Sequence, residues 1–233
     1  MATPQAAIDL GSNSALLLIV DANGRTLHDQ VEVVGLGKGL GDKGEFAADR
    51  MLRASAVLES YVEIAGKYGI KPQHIRAVTT SAARRASNAR SYFDAIEQKT
   101  GLKVEIISGI QEAALTWIGA GIGLNLPSGP IGVVDIGGGS TELVVGQRSR
   151  PLKWSTRVSL EVGSVRLTEE FFHARDDEGR WQMSSLEKAE HHIKELTEGV
   201  QWTESPAVLI AVAGTATTLA AMELGLTIWD REK

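Results

Sequence analysis

The stretch "AAIDLGSNSALLLIV", residues 6–20, contains a strand, a turn and a second strand, and it predicts the fold. Aliphatic residues lead to Asp9, the turn Gly11–Ser14 follows, and a new apolar run begins at Ala15. Such runs bounded by Gly and small polar residues are typical of strands joined by a tight turn. The turn could close a plain hairpin, or its backbone N–H groups could bind an anion.

The unit occurs a second time. "VDIGGGSTELVVG", residues 134–146, aligns with residues 8–20 so that Asp135 falls on Asp9. Because a self-similar segment at long range indicates a duplicated structural unit, we expect two similar domains. An anion-binding role for both turns is then favoured over two ordinary hairpins in which Asp and Asn are merely turn formers.

Strand and helix patterns alternate along the chain, which predicts an α/β fold. Predicted strands cover residues 6–10, 15–20, 74–79, 103–107, 131–136, 142–146 and 207–213. Predicted helices cover residues 45–68 and 91–100, and capping-box spacings open two more, from Ser108 towards Gly119 and from Ser184 towards Gly199. The glycine-rich segment 121–130 is the predicted junction between domains at residues 1–123 and 124–233.

Composition excludes several classes of function. A net charge of −5 disfavours binding to nucleic acid or anionic membranes through bulk charge. The absence of Cys excludes disulfides, thiolate metal sites and a Cys nucleophile. Neither a leader pattern nor an apolar run long enough to cross a bilayer occurs in the 233 residues, so a cytoplasmic protein is expected.

A third segment suggests the same chemistry. Residues 207–213 are apolar, and the polar residues Gly214 and Thr215 precede a helical pattern. A helix N-terminus that directly follows a strand favours an anion, because its first N–H groups have no partner within the helix. The alternative is that the threonines cap a helix of the core.

Six signals along the chain are the segments "AAIDLGSNS", "TTSAARRASNA", "EIISGIQEA", "VVDIGGGSTELVVG", "SLEVGSVRLTEEFF" and "AVAGTATT", which together span nearly the whole chain. In this order they resemble the exopolyphosphatase / guanosine pentaphosphate phosphohydrolase (Ppx/GppA phosphatase) family. The resemblance implies an α/β fold of two similar actin-like (ribonuclease H-like) domains flanking a phosphate-binding cleft. Family members continue beyond the third phosphate motif, so the second domain is expected to be incomplete at its C-terminus.

The resemblance also implies an activity, namely hydrolysis of the terminal phosphoanhydride bond of polyphosphate or guanosine pentaphosphate. It implies a divalent cation, Mg²⁺ or one such as Mn²⁺. No nucleic acid or membrane partner is expected, and a homodimer is allowed.

Residue by residue, the resemblance assigns catalysis to Glu112 and a phosphoryl clamp to Arg84. The implied phosphate-binding residues are Gly11, Ser12, Asn13, Ser14, Gly137, Gly138, Gly139, Ser140, Thr141, Gly214 and Thr215. The implied metal ligands, direct or through water, are Asp9, Asp135 and Glu142. Carboxylate oxygens and retained waters are the ligands that Mg²⁺ prefers.

Glu112 has a second, independent rationale. If Ser108 caps the helix, Glu112 lies in its first turn, where the helix dipole favours the carboxylate form that a general base needs. An ordinary acidic first-turn residue is the alternative. Two other functions remain as alternatives: an ATP-dependent kinase or ATPase of the same superfamily, and a non-catalytic sensor of nucleotide or polyphosphate.

Overall fold

In a computed structural model, residues 3–149, 152–176 and 178–227 are described, and the chain divides into two compact units. We call Met1–Ser108 the N-terminal unit and Gly109–Lys233 the C-terminal unit. This division falls earlier than the junction predicted at residues 121–130. The reason is that helix α5 (Gly109–Ala120) packs against the sheet of the C-terminal unit.

The N-terminal unit is built on one mixed sheet, whose described strands have the order β3-β2-β1-β4-β5. These strands are β1 (Gln5–Leu10), β2 (Ser14–Val20), β3 (Thr26–Val33), β4 (Ile75–Thr79) and β5 (Val104–Ile106). Its helices are α1 (Leu40–Lys43), α2 (Ala48–Lys67), α3 (Ser81–Arg85) and α4 (Ala89–Thr100), with a 3-10 turn at Pro72–His74. The first three strands are antiparallel, and β4 and β5 are parallel to β1.

The C-terminal unit repeats this plan. Its described strands have the order β8-β7-β6-β9, with β6 to β8 antiparallel and β9 parallel to β6. They are β6 (Ile131–Ile136), β7 (Thr141–Gln147), β8 (Lys153–Leu160) and β9 (Val208–Val212). Besides α5, its helices are α6 (Ser164–Phe171), α7 (Met183–Glu198) and α8 (Ala213–Glu223).

The predicted internal repeat is confirmed down to the hydrogen bonds. The Gly11 N–H donates to the Ser14 carbonyl at 2.9 Å, and the Gly137 N–H donates to the Ser140 carbonyl at 3.1 Å. Even the irregularity in strand register recurs at matching positions, after Ile19 in the first unit and after Val145 in the second. The two turns are therefore copies of one structure and not two unrelated hairpins.

Alternation along β1 and β2 builds the core of the N-terminal unit. Ile8 and Leu17 are fully buried, whereas Asp9 is exposed on the other face of the sheet. Helix α2 covers the buried face with Leu58 and Tyr61. The Tyr61 hydroxyl donates to the Ala15 carbonyl at 2.9 Å, and burial raises the pKa of Tyr61 to about 12. These contacts hold β2, the strand that follows the first turn.

The predicted strands are confirmed to within two residues, but β3 and β8 were not predicted. Both carry polar and charged residues on a partly exposed strand, and β3 has no fully buried residue, so the apolar signal is weak. The capping box at Ser184 is wrong, because α7 begins at Met183 after Gln182, which makes no side-chain cap. Within the part of the chain that the structure describes, no helix is long and apolar enough to cross a membrane.

Helix α8 begins directly after β9, with Ala213 at the junction in a left-handed conformation (φ 68°). An L-residue with a Cβ is strained there by about 1–2 kcal/mol. We therefore expect Ala213→Gly to raise the free energy of unfolding by about 1 kcal/mol, measured by urea denaturation. Ala216→Gly is the control within the same helix, and it should cost about 1 kcal/mol. Equal destabilisation by both substitutions would contradict strain at Ala213.

Candidate functional site

The first turn is held by the segment that follows β3. The Val34 and Gly35 N–H groups donate to the Asn13 carbonyl at 2.9 and 2.8 Å, and the Gly37 N–H donates to the Ser12 carbonyl at 2.7 Å. In a trans peptide the carbonyl and the following N–H point in opposite directions. The N–H groups of Asn13 and Ser14 therefore point away from the segment 34–37, as an anion-binding turn requires.

The second turn is held in the same way, by the start of α6. Its three consecutive carbonyl groups accept hydrogen bonds: Gly137 from the Ser164 N–H (3.0 Å), Gly138 from the Val165 and Arg166 N–H groups (2.9 and 3.1 Å), and Gly139 from Arg166 Nε (3.0 Å). By the same peptide geometry, the N–H groups of Gly138, Gly139 and Ser140 point to the opposite side. Three successive N–H groups with one orientation form a concave anion site.

Gly163 allows α6 to approach this turn. A Cβ on Gly163 would lie 2.6 Å from the Gly138 carbonyl carbon and the Gly139 nitrogen, and 2.7 Å from the Gly137 oxygen. Its φ is −160°, which any residue can adopt, so the requirement for Gly comes from space alone. The sequence marked this segment only by family resemblance and gave Gly163 no role.

In the C-terminal unit, the charges of two carboxylates, Glu112 and Asp135, act on a third, Glu142. Asp135 on β6 pairs directly with Glu142 on β7, and Glu112 lies in the first turn of α5. Glu142 is only 1% exposed and accepts a hydrogen bond from Ser159 Oγ at 2.6 Å. Burial, followed by the charges of Glu112 and Asp135, raises the pKa of Glu142 from 4.5 to about 8, against the opposing effect of its hydrogen bonds. At neutral pH and without a bound cation, the Glu142 carboxyl group is therefore mostly protonated.

Thr116 is a member of this cluster that the sequence did not reveal. It lies one helical turn after Glu112, so the two side chains share a face of α5. Thr116 Oγ1 donates to Asp135 Oδ2 at 3.1 Å. Burial raises the pKa of Asp135, and this hydrogen bond opposes the rise. In the sequence, the feature that could have indicated Thr116 was its position four residues after Glu112 in a predicted helix.

Arg84 lies on the same sheet edge as the first turn. Strands β1 and β4 are parallel and end at the paired residues Leu10 and Thr79, so the turn and α3 both start from the carboxyl ends of these strands. Arg84 Nη1 donates to the Ile107 carbonyl at 3.1 Å, which anchors part of the guanidinium. Arg84 and the first turn therefore lie at the same end of the sheet of the N-terminal unit, where β1 and β4 end.

The third predicted phosphate-binding segment, which contains Gly214 and Thr215, lies at the corresponding end of the sheet of the C-terminal unit. Asp135 on β6 is in register with Val212 on β9, and α8 starts at the next residue. Gly214 and Thr215 are therefore in the first turn of α8 and not in a loop. The hydroxyls of Thr217 and Thr218 donate to carbonyls of the preceding turn, so they do not cap the helix. The helix N-terminus remains the feature suited to an anion.

The cluster of Glu112, Asp135 and Glu142 has the type of donor atoms that a divalent cation binds, but it does not have the arrangement of a preformed metal site. Its donors are all oxygen, which suits Mg²⁺. Among the described residues, however, no group of three or more His, Asp and Glu side chains is arranged to hold a metal ion. Glu142 is buried and already accepts a hydrogen bond, so Asp135 is the better placed ligand. A cation there would keep most of its waters, as Mg²⁺ usually does.

The raised pKa of Glu142 predicts how stability depends on pH without divalent cations. The native state binds one more proton than the unfolded state between pH 4.5 and about 8. The Glu142 contribution to stability is therefore full below pH 4.5, declines as pH rises, and is lost above about 8. We expect Glu142→Gln to remove this decline and to be more stable than the parent at pH 9, measured by urea denaturation in EDTA.

The exposed Glu187 provides the control, because Glu187→Gln should keep the decline seen in the parent. Equal pH dependence of the parent and Glu142→Gln would contradict a protonated Glu142.

Known proteins resemble this chain over most of its length. Residues 19–227 match the Ppx/GppA phosphatase family. The chain is 32% identical to Exopolyphosphatase 2 of Mycobacterium tuberculosis, over 98% of this chain and 73% of that protein. It is 33% identical to the guanosine-5'-triphosphate,3'-diphosphate pyrophosphatase of Vibrio parahaemolyticus, over 94% of this chain and 43% of that protein.

Solved structures confirm the predicted fold class. The crystal structure of the Aquifex aeolicus member of the Ppx/GppA family superposes with a TM-score of 0.74 at 30% identity, over 99% of this chain and 72% of that one. The α/β, actin-like fold expected from the sequence is therefore the fold of this chain. The resemblance stated from six short segments is likewise confirmed.

Proposed function

Because the chain belongs to the Ppx/GppA phosphatase family, we propose that it releases the terminal phosphate of inorganic polyphosphate or of guanosine pentaphosphate by hydrolysis. The observation that carries this proposal is the second turn. Three successive N–H groups with one orientation lie in the same unit as the carboxylates of Glu112, Asp135 and Glu142. Anion donors beside a general base are what attack of water on a phosphoryl group needs.

In the proposed mechanism, the N–H groups of Gly138, Gly139 and Ser140 bind the oxygens of the terminal phosphoryl group. Glu112 orients the attacking water and takes its proton. The new bond joins the water oxygen to the terminal phosphorus, and the bridging oxygen leaves with the shortened substrate. Most catalysis of phosphoryl transfer comes from such positioning and charge neutralisation.

The other predicted site residues have proposed roles in holding the substrate. In the N-terminal unit, the turn Gly11–Ser14 offers N–H groups to a phosphate, and Arg84 binds a phosphoryl oxygen. In the C-terminal unit, Gly214 and Thr215 offer the N-terminal N–H groups of α8.

In the C-terminal unit, a Mg²⁺ or Mn²⁺ ion held by Asp135, with Glu142 as a further ligand directly or through water, would neutralise phosphate charge. In the N-terminal unit, Asp9 is the proposed metal ligand, directly or through water. Thr116 keeps the Asp135 carboxylate oriented through its hydrogen bond.

Phosphate release from three substrates tests this function: polyphosphate, guanosine pentaphosphate and ATP, each with Mg²⁺ or with EDTA. We expect orthophosphate from at least one of the first two, faster than from ATP, and only with the cation. Turnover restricted to ATP would support an ATPase or kinase instead. Tight binding of polyphosphate without release would support a sensor, and either result would overturn the proposal.

A further inference from the structure

We infer that Arg166 is a positioning residue that fixes the direction of the N–H groups in the second turn. The inference rests on the proposed function, because the turn is taken to bind the terminal phosphate. Arg166 lies in the first turn of α6 and belongs to a segment that resembles the family, but the sequence gave it no role. Its importance emerges only from its contacts.

Arg166 holds two adjacent peptide groups of the turn. Its backbone N–H donates to the Gly138 carbonyl at 3.1 Å, and its side-chain Nε–H donates to the Gly139 carbonyl at 3.0 Å. Its Nη2 also forms an ion pair with Glu161, and the side chain is only 17% exposed. The guanidinium is thus fixed between the turn and a carboxylate.

The Gly139 carbonyl is the contact that depends on the side chain. The Gly137 and Gly138 carbonyls accept from backbone N–H groups of α6, which remain after any substitution at position 166 except proline. The peptide from Gly139 to Ser140 is held by Arg166 Nε. Because glycine backbones rotate with little steric resistance, loss of this bond would free the peptide and let the Ser140 N–H turn away.

Arg166 acts on the second turn through the geometry of its guanidinium more than through its charge. Glu161 balances the positive charge of Arg166 locally, and the planar fork of a guanidinium donates to two fixed acceptors at once. A lysine keeps the charge but has no such fork. We therefore expect Arg166→Lys to behave like Arg166→Met and not like the parent.

The first test is independent of any ligand. The ¹⁵N–¹H spectrum of the full chain reports the Ser140 N–H, and we expect its resonance to shift or broaden in Arg166→Met and in Arg166→Lys. Arg180→Met is the matched control, since Arg180 forms ion pairs in the same unit with Asp176 and Glu178. An unchanged Ser140 resonance in Arg166→Met would overturn the inference.

The second test measures binding of inorganic tripolyphosphate by calorimetry, with Glu112→Gln as the background so that the ligand survives. We expect Arg166→Met to weaken binding about tenfold, and Arg180→Met to leave it unchanged. Ethylguanidinium should restore binding to Arg166→Ala, which loss of fold alone would not allow. Unweakened binding by a folded Arg166→Met variant also overturns the inference. If the Ser140 resonance responds but the background itself binds no tripolyphosphate, the inference stands and the proposed function fails.

Discussion

Glu112→Gln is expected to lower the rate of phosphate release by about 10²- to 10⁴-fold, the usual contribution of a general base. Gln has nearly the shape of Glu but cannot take a proton from water at neutral pH. The substitution also removes a negative charge that acts on Glu142, so the pKa of Glu142 should fall. The measurement is the steady-state rate of orthophosphate release from polyphosphate and guanosine pentaphosphate.

Substrate binding should survive this substitution, because the N–H donors of the second turn are untouched. Glu187→Gln is the control, since Glu187 is an exposed glutamate near the start of another helix of the same unit. It should leave the rate unchanged. A folded Glu112→Gln variant that releases phosphate at the parent rate would contradict the catalytic role.

Gly163→Ala is expected to damage both stability and activity. The new methyl group would lie 2.6–2.7 Å from backbone atoms of three residues of the second turn, so the turn or α6 must move. Overpacking of this kind costs about 1–3 kcal/mol of stability. Loss of oriented donors should lower the rate by at least about 10²-fold, as removal of a single oxyanion donor does in other enzymes.

Urea denaturation and phosphate release measure the two effects. Gly199→Ala is the matched control, because Gly199 has φ −79° and no atom lies within 4 Å of its added Cβ. Its stability and rate should stay close to those of the parent. Parent-like activity in Gly163→Ala would mean that α6 does not need this close approach.

The repeated unit explains how much of the fold the sequence could predict. Strands β1, β2, β6 and β7 carry strong apolar runs that end at Asp or at a glycine-rich turn, so both type and bounds were readable. Strand β3 lies at the edge of its sheet with only partial burial, and its sequence "TLHDQVEV" has little apolar signal. Such strands are specified by pairing with a neighbour, which no local pattern reveals.

The sequence indicated those candidate site residues whose role follows from their residue type. It did not indicate the residues whose role depends on contacts with other parts of the fold. The pairing of Asp135 with Glu142 in register follows from the strand–turn–strand pattern, and the charge of Glu112 acts on Glu142. Gly163 and Arg166 act through tertiary contacts with the second turn. An arginine or a glycine after a strand has many ordinary roles, so these two could be recognised only once the chain was folded.

Hydrolysis in ¹⁸O-labelled water tests the central claim most directly, because it reports which phosphorus atom water attacks. Tripolyphosphate and guanosine pentaphosphate are incubated with the protein and Mg²⁺, and the products are analysed by mass spectrometry. The account predicts one ¹⁸O atom in the released orthophosphate, none in the shortened substrate, and a rate that falls with Glu112→Gln. Label in the shortened substrate, or release of orthophosphate from neither compound, would contradict it.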